Sequence, residues 1–132
     1  MLQLKTNKRS LLGVVSMIEM KDKDLVCQFI ILDNTLKLLT KELEAVEKSK
    51  IKIKNPHLNF ILLKIDNAHK ELQNLHKQLE SRGIHIQEMR RDDFNVEYPF
   101  TCRGYFDIQV MQKDALKNNV ITKIIELYKL GY

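Results

Sequence analysis

The chain lacks most of what enzymatic chemistry leaves in a sequence. Its four glycines stand singly, so no glycine-rich loop is available to cradle a phosphate. No serine or cysteine sits in a nucleophile motif. The two cysteines, Cys27 and Cys102, lie far apart, with neither metal-ligand nor redox spacing. Reduced, buried thiols in a cytosol are the expectation. No apolar run approaches the roughly 18 residues of a membrane span. Basic residues precede a short apolar run at Leu11–Ile18, but charge resumes at once and no small-residue cleavage pattern follows, so a signal peptide is not expected. Low-complexity tracts are absent.

Charge of one sign is also scarce in excess. Twenty-two lysines and arginines against seventeen acids leave +5, spread thinly enough to permit a polyanionic partner without demanding one. An apolar fraction of 44% against 30% charged over 132 residues supports one folded domain and argues against disorder.

Two heptad runs dominate what is there. Leu25, Phe29, Leu32, Leu36, Leu39, Leu43 and Val46 alternate steps of four and three, as do Leu58, Ile61, Ile65, Ala68, Leu72, Leu75 and Leu79. Such spacing aligns side chains on one seam of a helix and cannot arise from a strand. Asp24 is the expected cap of the first helix and Asn55 of the second, where Pro56 takes the first turn. Gly83 ends the second helix, with Ile84 folding back on Leu79. Asp33–Lys37, Glu44–Lys48 and Asp66–Lys70 sit four apart in the favourable order. The short link "KSKIKIK" makes the helices antiparallel neighbours.

After Gly83 the period falls to two. Ile84 and Ile86, then Phe94, Val96 and Tyr98, then Phe106, Ile108 and Val110 alternate with polar residues, giving three short antiparallel strands. Asp92-Asp93 suits the first turn, and Pro99 to Gly104 bound the second. Helical period returns with Leu116, Val120, Ile124 and Leu127, closed by Gly131 with Tyr132 reaching back to Leu127. The expected fold is α+β: a long, coiled-coil-like antiparallel helical hairpin, a small three-stranded antiparallel sheet and a C-terminal helix. The segments are 1–22 (arm or short helix), 23–82, 84–111 and 113–131. Within the first, Leu11–Met20 reads as a helix prolonging the first seam from a Ser10 cap, with a strand as the alternative.

The stretch "RRDDFNVEYPFTCRGYF" (Arg90–Phe106) holds five of the nine aromatics. Phe94, Tyr98 and Phe106 are expected to fill a core, the bland role of alternating aromatics on a small sheet. Tyr105 falls on the opposite face, so Arg103 to Tyr105 forms an exposed recognition tip. The carboxylates Asp92, Asp93, Glu97 and Asp107 suit turns and solvent faces better than a metal site. A metal-dependent nuclease is therefore a remote alternative, with no lysine placed to assist one. His69 and His76 stand two turns apart, too far to share a metal, and His57 and His85 converge with nothing.

Off-seam apolar residues remain: Ile30, Ile31 and Leu38 on the first helix, Phe60, Leu62 and Leu63 on the second. They need covering by the sheet, the last helix or a second chain. The leading expectation is a non-enzymatic cytoplasmic adaptor, inhibitor or regulator. It binds protein, as a homodimer or with another partner, through Ile31, Leu38, Leu62, Leu63, Arg103 and Tyr105. The alternative is a nucleic-acid-binding regulator using Lys48, Lys50, Lys52 and Lys54 at the hairpin tip, Lys8 and Arg9 in the arm, and Arg90 and Arg91. No cofactor, metal, membrane partner or small-molecule substrate is expected.

Overall fold

A computed structural model of the chain describes residues 18–129. The readings at Lys8, Arg9, Ser10, Leu11 and the closing Gly131 and Tyr132 lie outside them. Two long helices come first, α1 (Met20–Lys48) and α2 (Asn55–Ser81). α1 begins earlier than its spacing predicts, because Asp22 rather than Asp24 serves its first turn. The Asp22 carboxylate accepts the Glu19 amide at 2.8 Å, while exposed Asp24 accepts only the Gln28 side chain. Asn55 likewise is not a cap. It lies inside α2, and Lys54 precedes the helix without a side-chain capping bond. Of the three charge pairs, Asp33–Lys37 and Asp66–Lys70 close to 3.1 Å, whereas Glu44 and Lys48 do not pair.

The heptad seam exists and fades outward. Leu25, Leu32, Leu36 and Leu39 of α1 are buried, as are Ile61, Ala68, Leu75 and Leu79 of α2. No residue from Thr40 to Phe60 is buried. Nine residues of α1, about 13 Å at 1.5 Å each, thus project past the core with their α2 partners as a two-helix arm. Its half-buried seam is Leu43, Val46 and Leu58.

α1 is the central element. Beyond α2, it packs the sheet on one flank and α3 (Lys113–Lys129) on another. That explains its surplus apolar residues. Ile30 is fully buried. Ile31 is half-buried in a crevice shared with Glu71 of α2 and Asn119, Thr122 and Lys123 of α3. Lys123 bridges there to Glu71 at 2.7 Å. Phe60 meets Tyr128 edge to face, with ring centroids 5.0 Å apart.

The sheet contains β1 (Ile84–Ile86), β2 (Arg90–Arg91), β3 (Asn95–Cys102) and β4 (Tyr105–Gln112). β1 and β2 both pair with one side of β3, and β4 pairs with the other. They are one strand interrupted. Ile86 lies opposite Phe100 and Arg90 opposite Glu97, so three residues on one side face two on the other, a bulge. Its cause is Pro99, which belongs to β3 and not to a turn. The Pro99 carbonyl accepts the Gln87 amide at 2.8 Å. Its nitrogen, on the same side of the strand, has no hydrogen to return.

The turn is only Arg103-Gly104, both at positive φ (50° and 87°), the signature of a tight two-residue hairpin. This corrects the expected face of β4. The turn pairs Cys102 with Tyr105. Because Val96, Tyr98, Phe100 and Cys102 are buried against the helices, Tyr105, Asp107, Gln109 and Met111 share their side. Phe106, Ile108 and Val110 face outward, leaving Phe106 59% and Val110 47% exposed. Phe94 precedes β3 in the turn and is 74% exposed. Of the three aromatics expected in the core, only Tyr98 is there, joined by Phe100.

Candidate interaction surface

The predicted recognition tip is occupied from within. Asp22 is fully buried and gathers two guanidiniums. Arg82 Nε donates to one carboxylate oxygen at 2.6 Å and Arg103 Nη2 to the other at 2.7 Å. Arg103 Nη1 also donates to the Arg82 carbonyl, and Arg82 Nη2 to Glu19. The Arg103 amide bonds the Gly83 carbonyl at 2.9 Å. The start of α1, the end of α2 and the hairpin tip therefore meet at one carboxylate. Burial pushes the Asp22 carboxyl up, but the Arg103 bond, the Glu19 amide and Arg82 together hold it well below the usual carboxylate range. Beside it, burial pushes the Cys102 thiol up, reinforced by Asp22, so the thiolate that chemistry requires is disfavoured. Arg103 is thus a structural residue. Tyr105 next to it is half exposed.

A second buried polar contact fixes the sheet on α1. The Tyr98 hydroxyl donates to Asp33 at 2.8 Å and accepts from Asn34 at 3.0 Å. Burial, then Asp33, pushes its ionisation up. Phe29 stands edge-on to Tyr98 and to His76, which gives His76 a packing role.

Beside Asn34 the molecule opens. A groove of about 350 Å³ runs between α1, β3 and the first turns of α3. Leu38, Val96, Leu116, Val120 and Ile121 form its apolar lining, and Arg91, Lys113 and Lys117 supply cations. No carboxylate lines it. Leu38 and Ile121 are 37% and 43% exposed. From Ile121 an apolar ridge continues along α3 through Ile125 and Tyr128, both exposed, at helical steps of four and three.

The structure therefore separates the predicted binding residues. Leu38 and Arg91 share the groove. Ile31 is half-buried in the crevice beside α3, Leu62 is exposed on the outer half of α2, and Leu63 is half-buried there. Lys48, Lys50 and Lys52 are exposed at the arm's end, with exposed Ile51 among them and exposed Ile53 after them, while Lys54 donates to the Glu47 carbonyl at 2.9 Å. Arg90 lies on the sheet, 3.9 Å from Glu97, so among the described residues the cations expected to bind nucleic acid are divided between the arm's end and the sheet. The carboxylates also stay apart. Asp92 accepts the Phe94 and Asn95 amides, which lower its pKa, and Asp107 lies 3.9 Å from Lys23. Among the described residues, no three histidine, cysteine or acidic side chains are placed to hold a metal ion. None of the helices described is long and apolar enough to cross a membrane.

Sequence reasoning missed Lys113, Lys117 and the Ile121–Ile125–Tyr128 ridge. The ridge was detectable as a second helical stripe beside Leu116, Val120, Ile124 and Leu127.

The fold and its groove define an α+β protein in which a helical hairpin carries a small antiparallel sheet and a C-terminal helix. The family model described as YhjD protein matches residues 17–131, and the chain belongs to that family. It is 30% identical over 82 residues to the Bacillus subtilis (strain 168) protein titled "Uncharacterized protein YhjD", covering 62% of this chain and 68% of that one. No solved structure matches the chain.

Proposed function

We propose that this chain is a non-enzymatic protein-interaction module of the cytoplasm, acting as an adaptor, inhibitor or regulator. Its binding surface is the groove between α1, β3 and α3, rather than the flanks of the hairpin. The supporting observation is the groove's composition: an apolar lining with Arg91, Lys113 and Lys117 and no lining carboxylate. That chemistry fits a partner segment with apolar anchors and acidic neighbours. The anchors gain affinity by burial, and the charges set orientation and exclude basic competitors.

Methyl NMR tests this with a synthetic amphipathic peptide carrying leucines on one face and glutamates beside them. Resonances of Leu38, Val96, Leu116, Val120 and Ile121 are expected to shift, and a Lys113→Glu, Lys117→Glu double variant to bind at least roughly tenfold more weakly, about 1.4 kcal/mol. Shifts elsewhere, or equal binding of a lysine-for-glutamate peptide, would overturn the proposal.

A second reading, nucleic-acid binding, rests on the arm. Lys48, Lys50 and Lys52 are exposed at its end, and no acid occurs from Lys48 to His57. Phosphate contacts by three lysines on duplex DNA would lower log affinity by ~0.9 per contact for each tenfold rise in salt. A salt-independent interaction, or none at low salt, removes this reading.

A further inference from the structure

We infer that the outer edge of β4 is a self-pairing surface, through which two copies of this chain join their sheets antiparallel about a two-fold axis at Ile108. β4 is eight residues long, and among the described residues only β3 pairs with it. The tight turn makes Cys102 and Tyr105 a mutually hydrogen-bonded pair. Tyr105, Asp107, Gln109 and Met111 therefore bond β3, while Phe106, Ile108 and Val110 direct their backbone groups outward. Edges of this kind are usually blunted by lysine, proline or a bulge. β4 has none of these along Tyr105–Gln112, and Asp107 is its single charge.

Local side chains cover the edge instead. Asp107 Oδ1 accepts the Ile108 amide at 2.7 Å, and Gln109 Nε2 donates to the Val110 carbonyl at 3.3 Å. Both are contacts within the strand itself, and a second strand would supply the same partners. A two-fold pair centred on Ile108 sets Phe106 opposite Val110 of the partner subunit. The outward face then carries one apolar band in which exposed Phe106 and Val110 cover each other. On the other face Asp107 stands opposite Gln109 of the partner subunit. The two capping groups released by pairing are thus an acceptor and a donor facing each other. Centring the axis on Asp107 would oppose two carboxylates, so charge selects the register. The occupant is a second copy because the edge complements itself residue by residue. This surface is separate from the groove, and its success or failure leaves the groove reading untouched.

Sedimentation equilibrium and oxidative cross-linking test the pairing on the full chain. The wild type is expected to be a dimer. Val110→Pro removes an outward amide that β3 does not use and is expected to give a folded monomer by circular dichroism. Gln109→Asp places carboxylates opposite Asp107 twice and should weaken dimerisation roughly tenfold or more, whereas Gln109→Lys should tighten it. In a Cys27→Ser background, Ile108→Cys is expected to cross-link to itself, since paired strand positions fall within disulfide reach. A monomeric wild type, or a dimer that both Gln109 variants leave unchanged, would overturn the proposal, and the Gln109 pair decides it even where the proline variant fails to fold.

Discussion

Replacing Asp22 with asparagine changes one charge at the point where three segments meet. One carboxylate oxygen accepts Arg82 Nε, and the other accepts Arg103 Nη2 and the Glu19 amide. Asparagine keeps a single oxygen and turns an amide NH₂ toward one guanidinium, donor against donor. Charge-assisted bonds of this kind each contribute about 1.5–3 kcal/mol. Breaking a fully buried pair costs about 3–5 kcal/mol. Arg82 and Arg103 keep access to water, with side chains 27% and 36% exposed, so an expected loss of about 3 kcal/mol sits at the low end. That corresponds to a fall in melting temperature of roughly 10 °C for a domain of this size. Urea denaturation followed by circular dichroism measures it.

Acid supplies the internal control. Because folding depresses the Asp22 pKa, its stabilisation is complete above the ordinary carboxylate value of about 3.9 and is lost as pH falls through the folded value. The gap between wild type and Asp22→Asn should hold from neutral pH down to about pH 4 and close below it. A neutral-pH gap under about 0.5 kcal/mol, or one that persists unchanged in strong acid, would refute the reasoning.

Gly83 has φ 68°, and an added Cβ would sit 3.1 Å from Arg103 Cγ, whereas Gly104 (φ 87°) faces open space. Alanine at 83 should therefore cost more than alanine at 104, with about 1 kcal/mol at the latter from backbone strain alone, read from thermal melts. Leu39→Ala should destabilise by about 3 kcal/mol and Leu43→Ala by about 1, because the core ends between them; equal losses in urea would disprove a projecting arm. Tyr98→Phe should cost about 1–2 kcal/mol by leaving Asp33 and Asn34 without the hydroxyl. Subtracting its ultraviolet titration from that of the wild type should reveal a phenol still protonated above about pH 10. The corresponding stabilisation is present below that pH and fades as pH rises through the folded value.

The helices and their order were legible from their 3.5-residue period, and their antiparallel sense from the short link between them. The faces of β4 were not. Alternation fixes which residues share a side, but only the turn decides which side meets the helices, and that depended on Arg103 taking positive φ. Pro99 resembled a turn residue because its missing amide could not be assigned to a bulge before the pairing was known. The Asp22 cluster was invisible for a different reason: its partners lie 60 and 81 positions away, beyond any local pattern. Leu38 was found as an uncovered apolar residue, but the cations beside it come from strand and helix starts that converge only in the fold.

The arm also marks where the chain can be divided. With no buried side chain from Thr40 to Phe60, the peptide link at its bend holds together two pieces whose cohesion lies elsewhere. A chain severed between Lys50 and Ile51 would keep α1 in one fragment and α2, the sheet and α3 in the other, each carrying half of every α1 interface. The bend is thus a natural place to divide this protein into complementing halves, whose reassembly would report on the core alone.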